Sequence, residues 1–326
     1  MKYFGALFLS LFLLVSCEDK NKKAYKPVSV GAINSLAVVM ENQLWEGKVG
    51  DKVREHFAAP ILGLTWNEPQ FSIEHMPLRV FTGMTRHRRS VLFVSLDSLD
   101  LAHITTDLYA SPQKVGVIKG RTEEELINNI QEGADKIIAS FKTTEMEEAQ
   151  KRFLRSLNKD TILQSKFNIS LRLPSISTVG KEEDNFIWID REIPKGTMNI
   201  IVYAMPWDSF ENDSTFVKDI VKMRDSIGKK YIPGPDIPNK TTYMVTEKAF
   251  APYVFPAEIS GKEAAEARGI WEIQNYPMAG PFLTYIVNDK ENNRKLILEG
   301  FTFAPATNKR DYMFELEAIL KTVQFR

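Results

Sequence analysis

The chain has one cysteine in 326 residues, Cys17, and that scarcity excludes several chemistries at once. Beyond Cys17 there is no thiol for an internal disulfide, a zinc thiolate set or a cysteine nucleophile. Histidine is nearly as scarce: His56, His75, His87 and His103 are the only four, and no two stand at metal-ligand spacing. No metal site and no cofactor is expected. An excess of one charge is missing too. The 42 Lys and Arg balance 42 Asp and Glu, so no nucleic-acid partner is expected. After residue 15 no apolar run reaches the ~20 residues of a spanning helix. The sequence also lacks a Gly-x-Ser-x-Gly elbow, a His-Glu-x-x-His pair, a phosphate-binding glycine loop and a dinucleotide glycine fingerprint.

What is there begins at the N-terminus. Lys2 is followed by an apolar run from Phe4 to Val15, which ends in Leu14-Val15-Ser16-Cys17. The run falls within the ~7–15 residues of a signal h-region and short of a membrane span. Its end resembles the lipobox of bacterial lipoproteins, in which the cysteine thiol takes up a diacylglycerol. Residues 1–16 are thus expected to be an export signal, and Cys17 the lipidation site. Acyl chains at ~0.8 kcal/mol per buried CH₂ make a stable anchor. Residues 17–30 follow as lipidated cysteine and tether, with Glu18 to Lys26 polar and aperiodic.

With 44% hydrophobic residues, the remaining chain can fill a sizeable core. Two modules are expected, 31–160 and 161–326. In the first, Leu36–Met40, Phe71–Met76, Val91–Leu96 and Lys114–Lys119 read as strands, and Gly47–Ala58 as a helix. Thr122 with Glu125 opens a helix whose apolar face runs from Leu126 to Phe141. Thr144 with Glu147 repeats the capping pattern and predicts a second helix, to about Leu157, as connector. In the second module, Asn168–Leu173, Asn185–Asp190, Met198–Ala204, Thr241–Glu247, Gly269–Gln274, Phe282–Asn288 and Lys295–Phe303 are dense in strand formers. Helices are predicted over Ser214–Ile227, with Gly228 as C-cap, and over Lys309–Val323. Asn292-Asn293 marks a hairpin turn. The class is α+β, mostly antiparallel sheet flanked by amphipathic helices, with a duplication among the possibilities.

Longer strings carry a resemblance. Arg268-Gly269-Ile270-Trp271-Glu272, Met278-Ala279-Gly280-Pro281-Phe282, Glu299 through Pro305, Lys309 through Glu317, Met223 through Pro235 and Lys181 through Phe186 resemble a Bacteroidota lipoprotein family, the DUF4837 domain of unknown function. The resemblance implies an envelope lipoprotein and carries over no catalytic residue. The element order of the second half is also similar to PsbP- and Mog1-type domains, an analogy of layout that implies no function.

Four groups of residues are candidates for contacts or modification. Arg86-His87-Arg88-Arg89 is the densest basic cluster; it suits an anionic glycan, phosphate or lipid headgroups, and suits equally a charged turn before a buried strand. Tyr231 and Asp236 flank the Pro/Gly stretch up to Pro238, which reads as a stiff platform for a partner or as a structural crossover. Ala251 to Pro256 has the same two readings. Ser98, Thr161, Ser214 and Ser226 each follow an Asp and precede an apolar residue or Thr. These strings resemble O-glycosylation sites of exported Bacteroidota proteins, and are also ordinary turn starts. The acidic Glu182-Glu183-Asp184 reads as a solvated corner. Together these features predict a membrane-anchored envelope protein, expected at the outer membrane, with a non-enzymatic binding or structural role. Its partners would be the membrane, through the lipid, and another envelope protein or a glycan. The alternative is an anchored hydrolase of envelope glycan, lipid or peptidoglycan, which requires a cleft holding a carboxylate or histidine of shifted pKa.

Overall fold

Burial on both faces governs how these strands read. In the computed structural model, which describes residues 25–326, the chain is α+β and built on two sheets. Cys17, the signal segment and most of the tether lie outside the described residues. The tether's last part does not hang free: Val28 bridges Ser111 and Val30 bridges Arg88, so residues 28–30 are docked on the first module.

The first sheet uses β1 (Ser35–Val39), β2 (Ser72–Met76), β3 (Ser90–Leu96), β4 (Leu101–Thr106) and β5 (Lys114–Gly120), in the order β2-β1-β3-β5-β4. β1 runs parallel to β2 and β3, and β3 parallel to β5; only β4 is antiparallel. Parallel neighbours need crossovers. The first is α1 (Asn42–Glu46) with α2 (Lys48–Phe57), and α3 (Glu123–Phe153) follows β5. Leu36, Val38, Leu92, Val94 and Ile118 face α2 and α3, while Ala37, Val39, Val91 and Val115 face the opposite side. This sheet departs from the antiparallel pattern of the rest, and the two sheets differ in strand sense, so the halves are not copies of one unit.

α3 is one helix of 31 residues where two are expected. Thr122 caps it as predicted, accepting the Glu125 amide, with three glutamates in the first turn against the helix dipole. The second capping pattern does not act. Thr144 is buried inside the helix and its hydroxyl donates to the Ser140 carbonyl four residues back.

The second module holds α4 (Ile162–Phe167) and β6 (Ile169–Ser170), which pairs with the terminal β15 (Gln324–Phe325). The strand predicted over 168–173 shrinks to β6, because Leu171–Leu173 turn back to bond Asn158 and Thr322. Then come β7 (Thr178–Glu183), β8 (Phe186–Ile193), β9 (Gly196–Pro206), α5 (Phe216–Tyr231), β10 (Met244–Thr246), β11 (Tyr253–Ile259), β12 (Lys262–Ile273), β13 (Tyr276–Asp289), β14 (Arg294–Phe303) and α6 (Arg310–Leu320). The sheet order is β10-β12-β13-β14-β9-β8-β7, antiparallel throughout, with β11 also on β12. α6 covers one face, with Leu283, Tyr285, Leu296 and Leu298. α5 covers the other, with Tyr203, Trp271, Phe282 and Ile297. Helices on both faces explain the unbroken apolar runs of β13 and β14. α5 continues through Gly228, the expected cap. A Cβ there would sit 2.0 Å from the Met244 carbonyl, so this glycine serves helix–strand contact.

Candidate functional site

The last turns of α3 cross α6, and the two modules are joined there by buried polar groups. Glu145 is fully buried and lies on the apolar stripe of α3. It accepts from Arg89 Nε at 2.9 Å and Nη2 at 2.8 Å, from Ser90 Oγ at 3.1 Å and from the Asn34 amide at 3.1 Å. Glu68, also buried, accepts the Lys309 and Arg310 amides at the N-terminus of α6, where the helix dipole favours a carboxylate. Arg310 donates onward to the Pro69 carbonyl and Ser72.

Beside this joint a cleft of about 420 Å³ opens, lined by Gln70, Lys142, Met146, Arg268, Phe314 and Glu317, among others. That volume suits a small ligand. Lys142, on α3, donates to Asn34 Oδ1 at 2.8 Å and to the Gln70 carbonyl at 2.7 Å. Its ammonium lies 4.2 Å from the centre of the Phe71 ring and 5.4 Å from that of Phe314. Among the described residues it makes no ion pair. Burial pushes its pKa down to about 8, the Arg310 charge adds to this, and Glu145, Glu317 and Asp311 pull the other way.

The opposite wall is charged but closed on itself. Arg268 donates to Glu317 at 2.8 Å and to Glu266, Lys321 donates to Glu317 at 2.6 Å, and the Tyr285 hydroxyl donates to Glu266 at 2.9 Å. Burial pushes the Glu317 carboxyl up, but Arg268 and Lys321 overrule it and hold it below its ordinary range. Burial, then the Glu317 and Glu266 charges, raises Tyr285. The cleft therefore offers one cation without a counter-ion, an exposed carboxylate in Glu147, an apolar floor and a spent ion-pair wall.

The residues singled out in the sequence lie elsewhere. Arg89 is no surface contact: it is 2% exposed and committed to Glu145. Arg88 pairs with Glu74, Arg86 donates to the Phe81 carbonyl, and His87 stays partly exposed beside them. Tyr231 is no exposed platform either. It ends α5 and stacks on Phe186 with ring centres 4.3 Å apart. Asp236 is exposed on the loop after it. Ser98, Thr161, Ser214 and Ser226 are all exposed. Asp97 and Asp160 accept the amides two residues on, as turn starts do. Tyr253 and Phe255, in the Ala251–Pro256 stretch, belong to edge strand β11.

Lys142, Glu145, Arg268 and Glu317 were not candidates on sequence. One signal exists for Glu145: it continues the stripe Ile130, Ala134, Ile137, Phe141, where a charge must be paired. Arg268 and Glu317 lie 49 residues apart, and nothing local in the sequence joins them.

These features define a two-module α+β protein with a charged cleft at the junction. The chain belongs to the family described as domain of unknown function DUF4837, which matches residues 156–322, just over half of its 326 residues. Residues 29–154 match a second description, domain of unknown function DUF8532. No curated protein and no solved structure matches.

Proposed function

We propose that this chain is a lipid-anchored envelope protein of the outer membrane that binds rather than transforms its ligand, and that the junction cleft seats a small anion with an apolar body. The observation that carries the reading is Lys142. An ammonium held away from bulk water without a counter-ion is costly, and an arriving carboxylate or phosphate would relieve that cost. Met146 and Phe314 would take the apolar part. The anchored-hydrolase alternative calls for a carboxyl kept protonated or a free imidazole in the cleft. Of the two carboxyls that line the cleft, Glu317 is held ionised and Glu147 is exposed, and no histidine lines it.

The test is calorimetric titration of the protein with octanoate, with octylamine as the cationic control. Octanoate should bind, Lys142→Met should weaken it at least tenfold, and Lys142→Arg should retain part of it. Equal octanoate binding by wild type and Lys142→Met, or none by wild type, would remove the cleft from the argument. Intact mass of the native protein tests the anchor separately, by the added diacylglyceryl group on Cys17.

A further inference from the structure

Residues 78–88 and 107–113 cover the face of the first sheet that α2 and α3 leave open, through Phe81 and Tyr109, and residues 25–30 pair with both segments. They interlock. Val30 N donates to the His87 carbonyl at 2.8 Å and Ser111 N to the Pro27 carbonyl at 2.9 Å. Gln113 Nε2 donates to the carbonyls of both Arg86 and Arg88 at 2.7 Å. Beneath them Phe81 is buried against Phe93 and Tyr109, so this layer seals the core on its inner side.

Its outer side is unusual. Tyr25, Val28 and Met84 are 90%, 70% and 67% exposed, and Leu78, Val80 and Leu108 are about half exposed. Six large apolar side chains exposed on three interlocked segments signal a partner. The charge around them is mostly basic, with Glu74 on the underlying strand already paired to Arg88. Lys26, Arg79, Arg86, Arg88 and the adjoining Lys114 are basic, in a chain of zero net charge. The one acid in these segments, Asp107, spends its carboxylate on Ser111 Oγ and the Gln113 amide. Apolar side chains interleaved with arginine match the boundary between acyl chains and anionic headgroups.

The chain's own path supplies the second argument. Tyr25, in this layer, follows Cys17 by eight residues in the sequence. At ~3.3–3.6 Å per residue, a lipid on Cys17 would hold the layer within roughly 30 Å of the bilayer.

We infer that this surface, presented by Tyr25, Val28, Leu78, Arg79, Met84 and Arg86, docks on a membrane rich in anionic lipid. The inference rests on the anchor reading of Cys17 for its proximity argument, and its test separates the two. The full chain carrying Met84→Cys with a nitroxide label is reconstituted on phosphatidylcholine vesicles with and without phosphatidylglycerol; Glu183→Cys is the remote control. With anionic lipid, the Met84 label should collide with oxygen dissolved in the lipid and be shielded from an aqueous nickel complex. The Glu183 label should stay aqueous. Arg79→Glu/Val80→Asp changes two exposed side chains and should return the Met84 label to water.

If the protein carries its lipid and floats with vesicles while the Met84 label stays aqueous, docking is refuted and the anchor stands. A label shielded from both reagents would mark a protein partner, and would also refute docking. If intact mass shows no lipid, the anchor reading fails. The surface is then judged by sedimentation with the same vesicles, where binding must fall with salt and be lost in Arg79→Glu/Val80→Asp.

Discussion

Replacing Lys142 by methionine should alter how stability depends on pH, with a sign the structure fixes. Folding lowers the Lys142 pKa from 10.5 to about 8, chiefly through burial. Below pH 8 the amine is protonated in both states, and the folded state bears the full cost of the buried charge. Between 8 and 10.5 the folded state releases its proton while the unfolded state keeps it. The unfolded state then binds more protons, so stability rises with pH across that window. At ~1.4 kcal/mol per pH unit the ceiling is roughly 3 kcal/mol. Because the side chain keeps some contact with solvent, about 1–2 kcal/mol is the expected share. The assay is urea unfolding of wild type and Lys142→Met at half-unit steps from pH 7 to 10. Subtracting the two removes the other lysines and the tyrosines, leaving Lys142 and its charged surroundings, Arg310, Glu145, Glu317 and Asp311. The methionine variant should gain on wild type at pH 7 and lose that gain by pH 10. A difference that is flat or runs the other way would refute the reasoning. The same linkage marks the ligand: an anion pairing with Lys142 raises its pKa, so affinity should hold steady below pH 8 and fall above it, with proton uptake on binding.

Other changes test the remaining structure. Arg224 and Glu299 form a bidentate pair, each side chain 2% exposed, joined by Thr246 and Thr284; Arg224→Met should cost about 3–5 kcal/mol by urea unfolding, and pairing it with Glu299→Met should recover much of that. Glu68→Ala should cost about 1–2 kcal/mol by leaving the α6 amides unpaired, with faster hydrogen exchange at Lys309 and Arg310. Gly228→Ala should cost about 1–3 kcal/mol in thermal unfolding, because the backbone at Met244 must move.

Much of the fold is legible because the patterning is local. The strands over 198–204, 282–288 and 295–303 are unbroken runs of strand formers, and the Asn292-Asn293 turn is made, with Asn293 left-handed at φ 49°. What misleads is any position whose role depends on a distant element. Thr144 and Glu147 spell a cap, yet the helix passes through because its last turns bury Ala149 and Phe153 in the core of the second module. Gly228 spells a stop, yet marks where β10 comes close. β4 and β7 carry too little apolar alternation to stand out, and each is held by pairing with a stronger neighbour. The cleft follows the same logic. Lys142 is one lysine in a charged stretch, and what removes its solvent is the packing of Asn34, Gln70, Phe71 and Phe314, all distant in sequence, around it.

α3 also shows why two family matches that meet near residue 155 do not describe two separable bodies. Ile130, Ala134, Ile137 and Phe141 belong to the core of the first module, whereas Ala149 and Phe153 belong to that of the second. Between those stretches the helix carries Lys142, Thr144 and Glu145, so polar groups fill the layer where one core gives way to the other. A rigid helix through both cores fixes the cleft walls without a hinge. It also keeps the two surfaces apart: the cleft draws on Lys142, Thr143, Met146 and Glu147, past the stretch of α3 that packs on the first sheet, whereas the layer over Phe81 and Tyr109 lies on that sheet's other face.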